Sequence, residues 1–154
     1  MMLVSTELRA SSVHGVGVFL LEPVGKGDLI WRFDSRIDRV YSPDDLASLP
    51  PRAQQIVQTY ATYHAQSAVW VLCGDNGRHV NHCGAPNTIS NGIAFGESHA
   101  AEDLLAGIEL TSDYTTICDN ARYSRLHFLT PAFVKTSLDS SLVCTSAKRP
   151  TPIA

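Results

Sequence analysis

The sequence predicts a mainly β single domain with a helical insert near its middle. Short β-type runs separated by glycine turns open the chain and return after residue 69, and these runs carry the β prediction. Between about 42 and 66 a capping signal and helical apolar spacing carry the insert. The length of 154 residues matches one domain at roughly 150 residues each. A 44% hydrophobic content and 18% charged residues exclude disorder throughout.

The first strands are expected at Leu3 to Leu8, Val16 to Leu21 and Leu29 to Phe33, divided by His14-Gly15 and by Gly25-Lys26-Gly27, with a fourth at Ile37 to Tyr41. Ser42 can cap a short helix whose first position is Pro43 and which ends near Leu49. After the break at Pro50-Pro51, the residues Ala53, Ile56, Val57 and Tyr60 recur at i, i+3, i+4 and i+7, predicting a helix to about His64 with one apolar stripe. Strands are expected again at Val69 to Leu72, near Ile89, at Ile93 to Phe95 and at Ile108 to Thr111. Past Tyr114 the periodicity weakens, although Leu126, Phe128, Leu129 and Phe133 can dock on the body. The domain is therefore drawn at 1–136, and 137–154, rich in Ser and Thr and closing on Lys148, Arg149, Pro150 and Pro152, is expected to be a loosely ordered tail. No internal repeat is evident.

Twelve Lys and Arg against fifteen Asp and Glu leave a net charge of -3, so no global positive field exists to hold nucleic acid or an anionic membrane. The longest apolar stretches, around Val16 to Leu21 and Ala68 to Cys73, fall far short of the roughly 20 residues of a membrane helix. Four scattered cysteines, Cys73, Cys83, Cys118 and Cys144, do not make a secreted disulfide framework, and no long apolar leader opens the chain. The expected location is intracellular: cytoplasmic in a bacterium, nuclear or cytoplasmic in a eukaryote.

Three separated segments carry the chemistry: His14-Gly15-Val16-Gly17-Val18-Phe19, Arg78-His79-Val80-Asn81-His82-Cys83-Gly84-Ala85-Pro86-Asn87, and Ala106-Gly107-Ile108-Glu109-Leu110-Thr111-Ser112-Asp113-Tyr114. Singly, each has an ordinary structural explanation, such as turn glycines or a buried polar pair. In this order they resemble the SET domain of protein lysine methyltransferases: S-x-x-H-G-x-G-v-F, R-F-x-N-H-S-C-x-P-N and a-G-E-E-L-T-x-D-Y. The run Pro23 to Ile30 is similar to that family's I-x-K-G-e-x-I turn, and the resemblance spans roughly Leu8 to Tyr114.

The resemblance implies a β-clip fold with a C-terminal pseudoknot, in which the segment ending at Tyr114 threads the one holding Asn81-His82. It implies S-adenosyl-L-methionine as cofactor, held by His14, Gly15, Val16, Gly17, Arg78, Asn81, His82 and Tyr114. Tyr114 would be the catalytic residue, with Ser112, Tyr114, Tyr123 and Phe128 lining the substrate channel. Those residue types suit the task. Glycines admit a cofactor close to the main chain, and an asparagine amide can read a methionyl amine and carboxylate. A lysine with a reference pKa near ~10.4 must lose a proton before it attacks a sulfonium methyl. An apolar channel beside a sulfonium lowers that value. A phenol is a poor base at neutral pH, so Tyr114 would orient the amine, and His82 would be structural.

The sequence also departs from the family. The motif cysteine is displaced by one, giving Cys83-Gly84, Ile108 stands for the first glutamate of G-E-E-L, and Ser112 stands where many relatives carry Phe or Tyr. After Tyr114 only Cys118 and Cys144 remain, so the zinc of the appended C-x-C-x4-C segment is not expected. A metal site from Cys73, His79, His82 and Cys83 is disfavoured, because adjacent His82 and Cys83 would strain to meet one ion. In place of the zinc-held lid, the stretch 115–136 is expected to cover the site from the same subunit or from the partner in a homodimer. The substrate is expected to be a basic segment of a protein such as a histone or ribosomal protein, with Asp44, Asp45, Glu97, Glu102 and Asp103 on the acidic side of the pairing. A catalytically silent SET-fold binding module and a small-amine methyltransferase are the alternatives.

Overall fold

The computed structural model describes residues 1–64, 67–90 and 96–117. The expected strand Ile93 to Phe95, the segment 118–136 with Tyr123 and Phe128, the tail 137–154, and Cys118 and Cys144 lie outside the described residues. In chain order the described strands are β1 (Thr6–Ala10), β2 (Val16–Leu20), β3 (Leu29–Arg32), β4 (Arg39–Tyr41), β5 (Thr62–His64), β6 (Val69–Leu72), β7 (Asn81–His82), β8 (Thr88–Ser90), β9 (Glu97–Ala100) and β10 (Glu109–Ser112). The helices are α1 (Pro43–Ser48), α2 (Pro51–Tyr60) and the single turn α3 (Tyr114–Ile117), with a 3-10 turn at Asn76–His79.

These strands make three small sheets, in the orders β1-β2-β10-β7, β3-β9-β8 and β4-β6-β5. The first sheet positions the site. β1 and β2 form an antiparallel hairpin from Thr6↔Leu20 to Ala10↔Val16, and β10 pairs antiparallel with β2 through Leu110↔Val18. The other edge of β10 pairs in parallel with β7, Thr111 opposite Asn81 and Ser112 opposite His82. A parallel pair needs a long connection, and here the intervening chain forms β8 and β9 of a second sheet before returning. The main apolar cluster, Val18, Leu20, Val24, Ile30, Ala100, Leu104 and Leu110, is drawn from the first two sheets and the turns between them.

Where the expected elements shift, a pairing partner explains it. The run Leu3 to Leu8 divides: Met2 bridges Trp31 and the Leu3 N–H donates to the Ile30 carbonyl, while β1 proper starts at Thr6 and extends to Ala10. α1 has the expected cap, a reciprocal box between Ser42 and Asp45. α2 ends at Tyr60 and not at about His64, because Thr62, Tyr63 and His64 pair with Val71, Trp70 and Val69 of β6. Buried Tyr63 then meets Trp70 edge to face at 5.1 Å, a packing gain that a continued helix would forgo.

The expected apolar stripe on α2 is only partly used. Val57 is buried with Leu46, Tyr63 and Trp70, whereas Ile56 and Tyr60 are exposed. β9, Glu97-Ser98-His99-Ala100, has no apolar alternation and is a strand because both edges are paired, to β3 and to β8. The backbone also repeats itself where the sequence does not. Val24 and Leu104 exchange backbone hydrogen bonds of 2.9 and 2.8 Å, and the turn after each ends at a glycine with positive φ, Gly27 at +86° and Gly107 at +84°. No helix among the described residues is long and apolar enough to cross a membrane.

Candidate active site

The loop joining β1 to β2 is held from below by β7 and β10. The Asn81 amide nitrogen donates to the carbonyls of His14 (3.0 Å) and Val16 (3.1 Å) and lies 2.9 Å from Glu109 Oε1 and 3.2 Å from Ser11 Oγ. Four oxygens around one atom require the NH2 group there. Asn81 Oδ1 carries no hydrogen bond among the described residues, so this acceptor is what the buried amide can offer a ligand. The Ser11 hydroxyl donates to the Glu109 carboxylate at 2.7 Å and accepts from the Val13 and His14 amides at 2.9 and 3.2 Å.

Above this framework the loop 12–16 is exposed. Gly15 has φ +49°, its carbonyl accepts the Ser11 N–H at 2.9 Å, and open space lies where a side chain would project, so its α-carbon faces outward. Gly17 differs: it is buried, and a Cβ on it would overlap Glu109 Oε1 and lie 2.7 Å from the carboxyl carbon. The close neighbour of this glycine is therefore a side chain of the protein itself.

On the opposite side of β10 lies a cavity of about 170 Å³. Tyr114, Ser112, Val80 and Arg78 line it, facing Thr62 and His64 of β5, and its inner end reaches Ile30 and Leu110. The Tyr114 hydroxyl donates to the Val80 carbonyl, and its backbone N–H donates to His82 Nδ1 at 3.1 Å, with the two rings 5.4 Å apart. That bond makes the histidine a support for Tyr114. Alternation along the two-residue β7 thus sends Asn81 to the loop and His82 to the tyrosine. Thr88 gives its hydroxyl proton to the Thr111 carbonyl at 2.8 Å, so in its 2.7 Å contact with Ser112 the serine is the donor.

No carboxylate lines the cavity among the described residues; Arg78 and His64 supply its ionisable basic groups. Burial holds the His64 imidazole below the ordinary histidine pKa. Burial, reinforced by the charges of Asp38 and Asp75, pushes the Cys73 thiol of the cavity wall up to about 12. The indole N–H of Trp31, also on this wall, is buried and has no acceptor among the described residues.

The expected site residues thus fall into two groups. His14, Gly15, Val16, Gly17 and Asn81 gather at the loop, whereas Ser112, Tyr114 and Arg78 line the cavity, Arg78 donating from Nε to the Asp75 carbonyl at 3.3 Å. His82 stands between them. Sequence reasoning missed the parts played by Glu109 and Ser11, both of which lay inside the quoted motifs, and by Thr88, which no pattern marks. Of the acidic residues expected to face a basic partner, Asp45 caps α1, Glu97 pairs with Arg32 at 2.8 Å and Asp103 accepts from the Lys26 N–H at 2.8 Å. These three serve the fold. No group of three His, Cys, Asp or Glu side chains among the described residues is placed to hold a metal ion.

No family model matches the sequence, and no curated protein matches it. Solved structures do. An autoinhibited Polycomb Repressive Complex 2 from Chaetomium thermophilum bound to S-adenosylmethionine is 19% identical with a TM-score of 0.60, over 82% of this chain and 17% of that one. A humanized mutant of the same complex bound to the inhibitor GSK126 is 21% identical with a TM-score of 0.58, over 78% and 16%. A Plasmodium falciparum chain assigned provisionally as a histone methyltransferase is 18% identical with a TM-score of 0.52, over 73% and 95%. The present chain spans about a sixth of the Polycomb chains it matches. What these likenesses define is the architecture: the chain has a β-rich SET fold.

Proposed function

We propose that the protein is an S-adenosyl-L-methionine-dependent protein lysine N-methyltransferase acting on a basic protein segment such as a histone or ribosomal protein. The observation that carries this reading is the arrangement around β10: an exposed glycine loop braced by Asn81 on one side, and a tyrosine-lined cavity free of described carboxylates on the other. The outward backbone at Gly15 and the open Asn81 Oδ1 suit the methionyl end of the cofactor, which supplies an electrophilic methyl on a sulfonium. His14, Val16, Gly17, Arg78 and His82 belong to the same proposal, the last two by bordering Tyr114.

The chain's own residues do the rest. A lysine ammonium entering a cavity without a counter-carboxylate and beside the Arg78 guanidinium loses solvation and meets like charge, and both favour the neutral, nucleophilic amine. The Tyr114 hydroxyl, fixed by the Val80 carbonyl and by the backbone bond to His82, orients that amine. The parallel pairing of β7 with β10 supports the threaded, pseudoknotted arrangement. The segment 115–136 is proposed to cover the cavity, because Tyr114, immediately before it, and Ile117, within its first turn, already line the wall. The acidic net charge of -3 suits a basic protein more than nucleic acid. Titration calorimetry with the cofactor, followed by transfer assays on histone and ribosomal protein mixtures, tests the reading. Binding with transfer to a lysine supports it, whereas tight binding without transfer assigns the chain to a silent binding module.

A further inference from the structure

The two ways in which a glycine can be required, to admit a ligand or to admit another part of the protein, are distinguishable at position 17. Gly17 lies in β2 opposite Arg9 of β1 and has no positive φ, so its conformation is open to any residue. What excludes a side chain is space. A Cβ there would overlap Glu109 Oε1, lie 2.7 Å from the carboxyl carbon, and sit 3.1 Å from Ser11 Cβ. A glutamate tip is flexible in general, but this one is held. It accepts the Ser11 hydroxyl through Oε1 at 2.7 Å and Oε2 at 3.0 Å, and it takes the Asn81 amide at 2.9 Å. Ser11 and Asn81 in turn hold the loop, Ser11 through the Val13 and His14 amides and Asn81 through the His14 and Val16 carbonyls.

We infer that Glu109 is the positioning residue of the loop, a carboxylate seated over Gly17 that fixes residues 11–16 through Ser11 and Asn81 and thereby sets cofactor affinity. On this inference Gly17 is glycine for the sake of Glu109, and Gly15 is the position that leaves backbone open to the ligand. The part concerning affinity rests on the proposed methyltransferase reading; the lock itself does not. Alternation along β10 keeps the effect local, because Glu109 points to the loop side while Leu110 and Ser112 line the cavity.

A double-mutant cycle on the full chain tests both parts, using Gly17→Ala, Glu109→Ala and the pair, with amide exchange of Val13 and His14 in the cofactor-free protein as first readout. Each single variant is expected to lose at least about tenfold of the protection at those two amides, since a charge-assisted hydrogen-bond set is worth that much. In the Glu109→Ala background the added Gly17→Ala is expected to cost much less than it does alone, since only the 3.1 Å approach to Ser11 Cβ remains. Glu109→Gln, which keeps one acceptor oxygen, should lose less than Glu109→Ala, and Ser11→Thr, which keeps the hydroxyl, less than Ser11→Ala. With cofactor, its KM should rise by a larger factor than kcat falls in Glu109→Ala, a split that general unfolding would not produce. Equal losses from Gly17→Ala in both backgrounds would show that the glycine is required by something other than Glu109 and overturn the inference. Unchanged exchange in Glu109→Ala and Ser11→Ala would do the same. If the wild type binds no cofactor while the exchange cycle behaves as described, the methyltransferase reading fails and the lock stands.

Discussion

The loop side and the cavity side of β10 are built on opposite plans. Around Glu109 the hydrogen bonds run within the protein, from Ser11, Asn81, Val13 and His14, and the loop 12–16 above them is exposed. Around Ser112 and Tyr114, whose bonds to Thr88, Val80 and His82 are also internal, the polar groups border a cavity of about 170 Å³. One four-residue strand serves both because its side chains alternate. The difference teaches that an exposed loop can be immobilised from beneath by hydrogen bonds to buried side chains, while the same strand's other face is free to border an open cavity.

Removal of everything after Asp119 is expected to abolish transfer while preserving the cofactor affinity set by the loop, and truncation after Ser140 should change little. Full-rate transfer by the shorter chain would remove 120–136 from the cavity side. Next in size, Tyr114→Phe should lower kcat by at least tenfold, about 1.4 kcal/mol of transition-state stabilisation. Its cofactor dissociation constant, measured by calorimetry, should stay within about twofold of wild type. Asn81→Ala should invert that pattern. It leaves Glu109 and two loop carbonyls without their donor, at a cost of about 1–3 kcal/mol, so cofactor affinity should fall about tenfold or more. Equal effects of the two variants on both parameters would erase the division between the faces.

Ser112→Ala removes the donor to Thr88 and should alter the KM for a lysine peptide by roughly threefold, with cofactor KM untouched. The smallest effect belongs to pH. Burial depresses the folded-state pKa of His64, so the unfolded chain binds a proton more readily. Stability from this group is complete above the ordinary histidine value and is lost as pH falls below it. His79 is depressed in the same sense, by burial and then by Arg78. His64→Gln should therefore make the fall in Tm between pH 7 and pH 5 shallower by about a degree or two without removing it.

Much of the fold was legible in the sequence, for physical reasons that also mark the misses. Strands with their own apolar pattern, such as Val16 to Leu20 and Val69 to Leu72, and a helix with a Ser42-Pro43 start, announce themselves locally. β9 does not, since its strand character comes from two neighbours that only the folded chain supplies. Helical spacing carries α2 past its true end at Tyr60 because it says nothing of Tyr63 finding Trp70. At the site, the motifs brought Asn81, Tyr114 and the glycines to notice, yet motif order does not reveal that Glu109 fills the space over Gly17. Thr88 reaches Ser112 only through tertiary contact.

The most direct test of the account is transfer of labelled methyl groups from S-adenosyl-L-methionine to a histone and ribosomal protein mixture, with wild type and Tyr114→Phe compared at saturating cofactor. The account predicts label on a lysine side chain with the wild type and at least tenfold less with the variant. Cofactor binding by the wild type with no label on any protein, or equal labelling by both proteins, would contradict it.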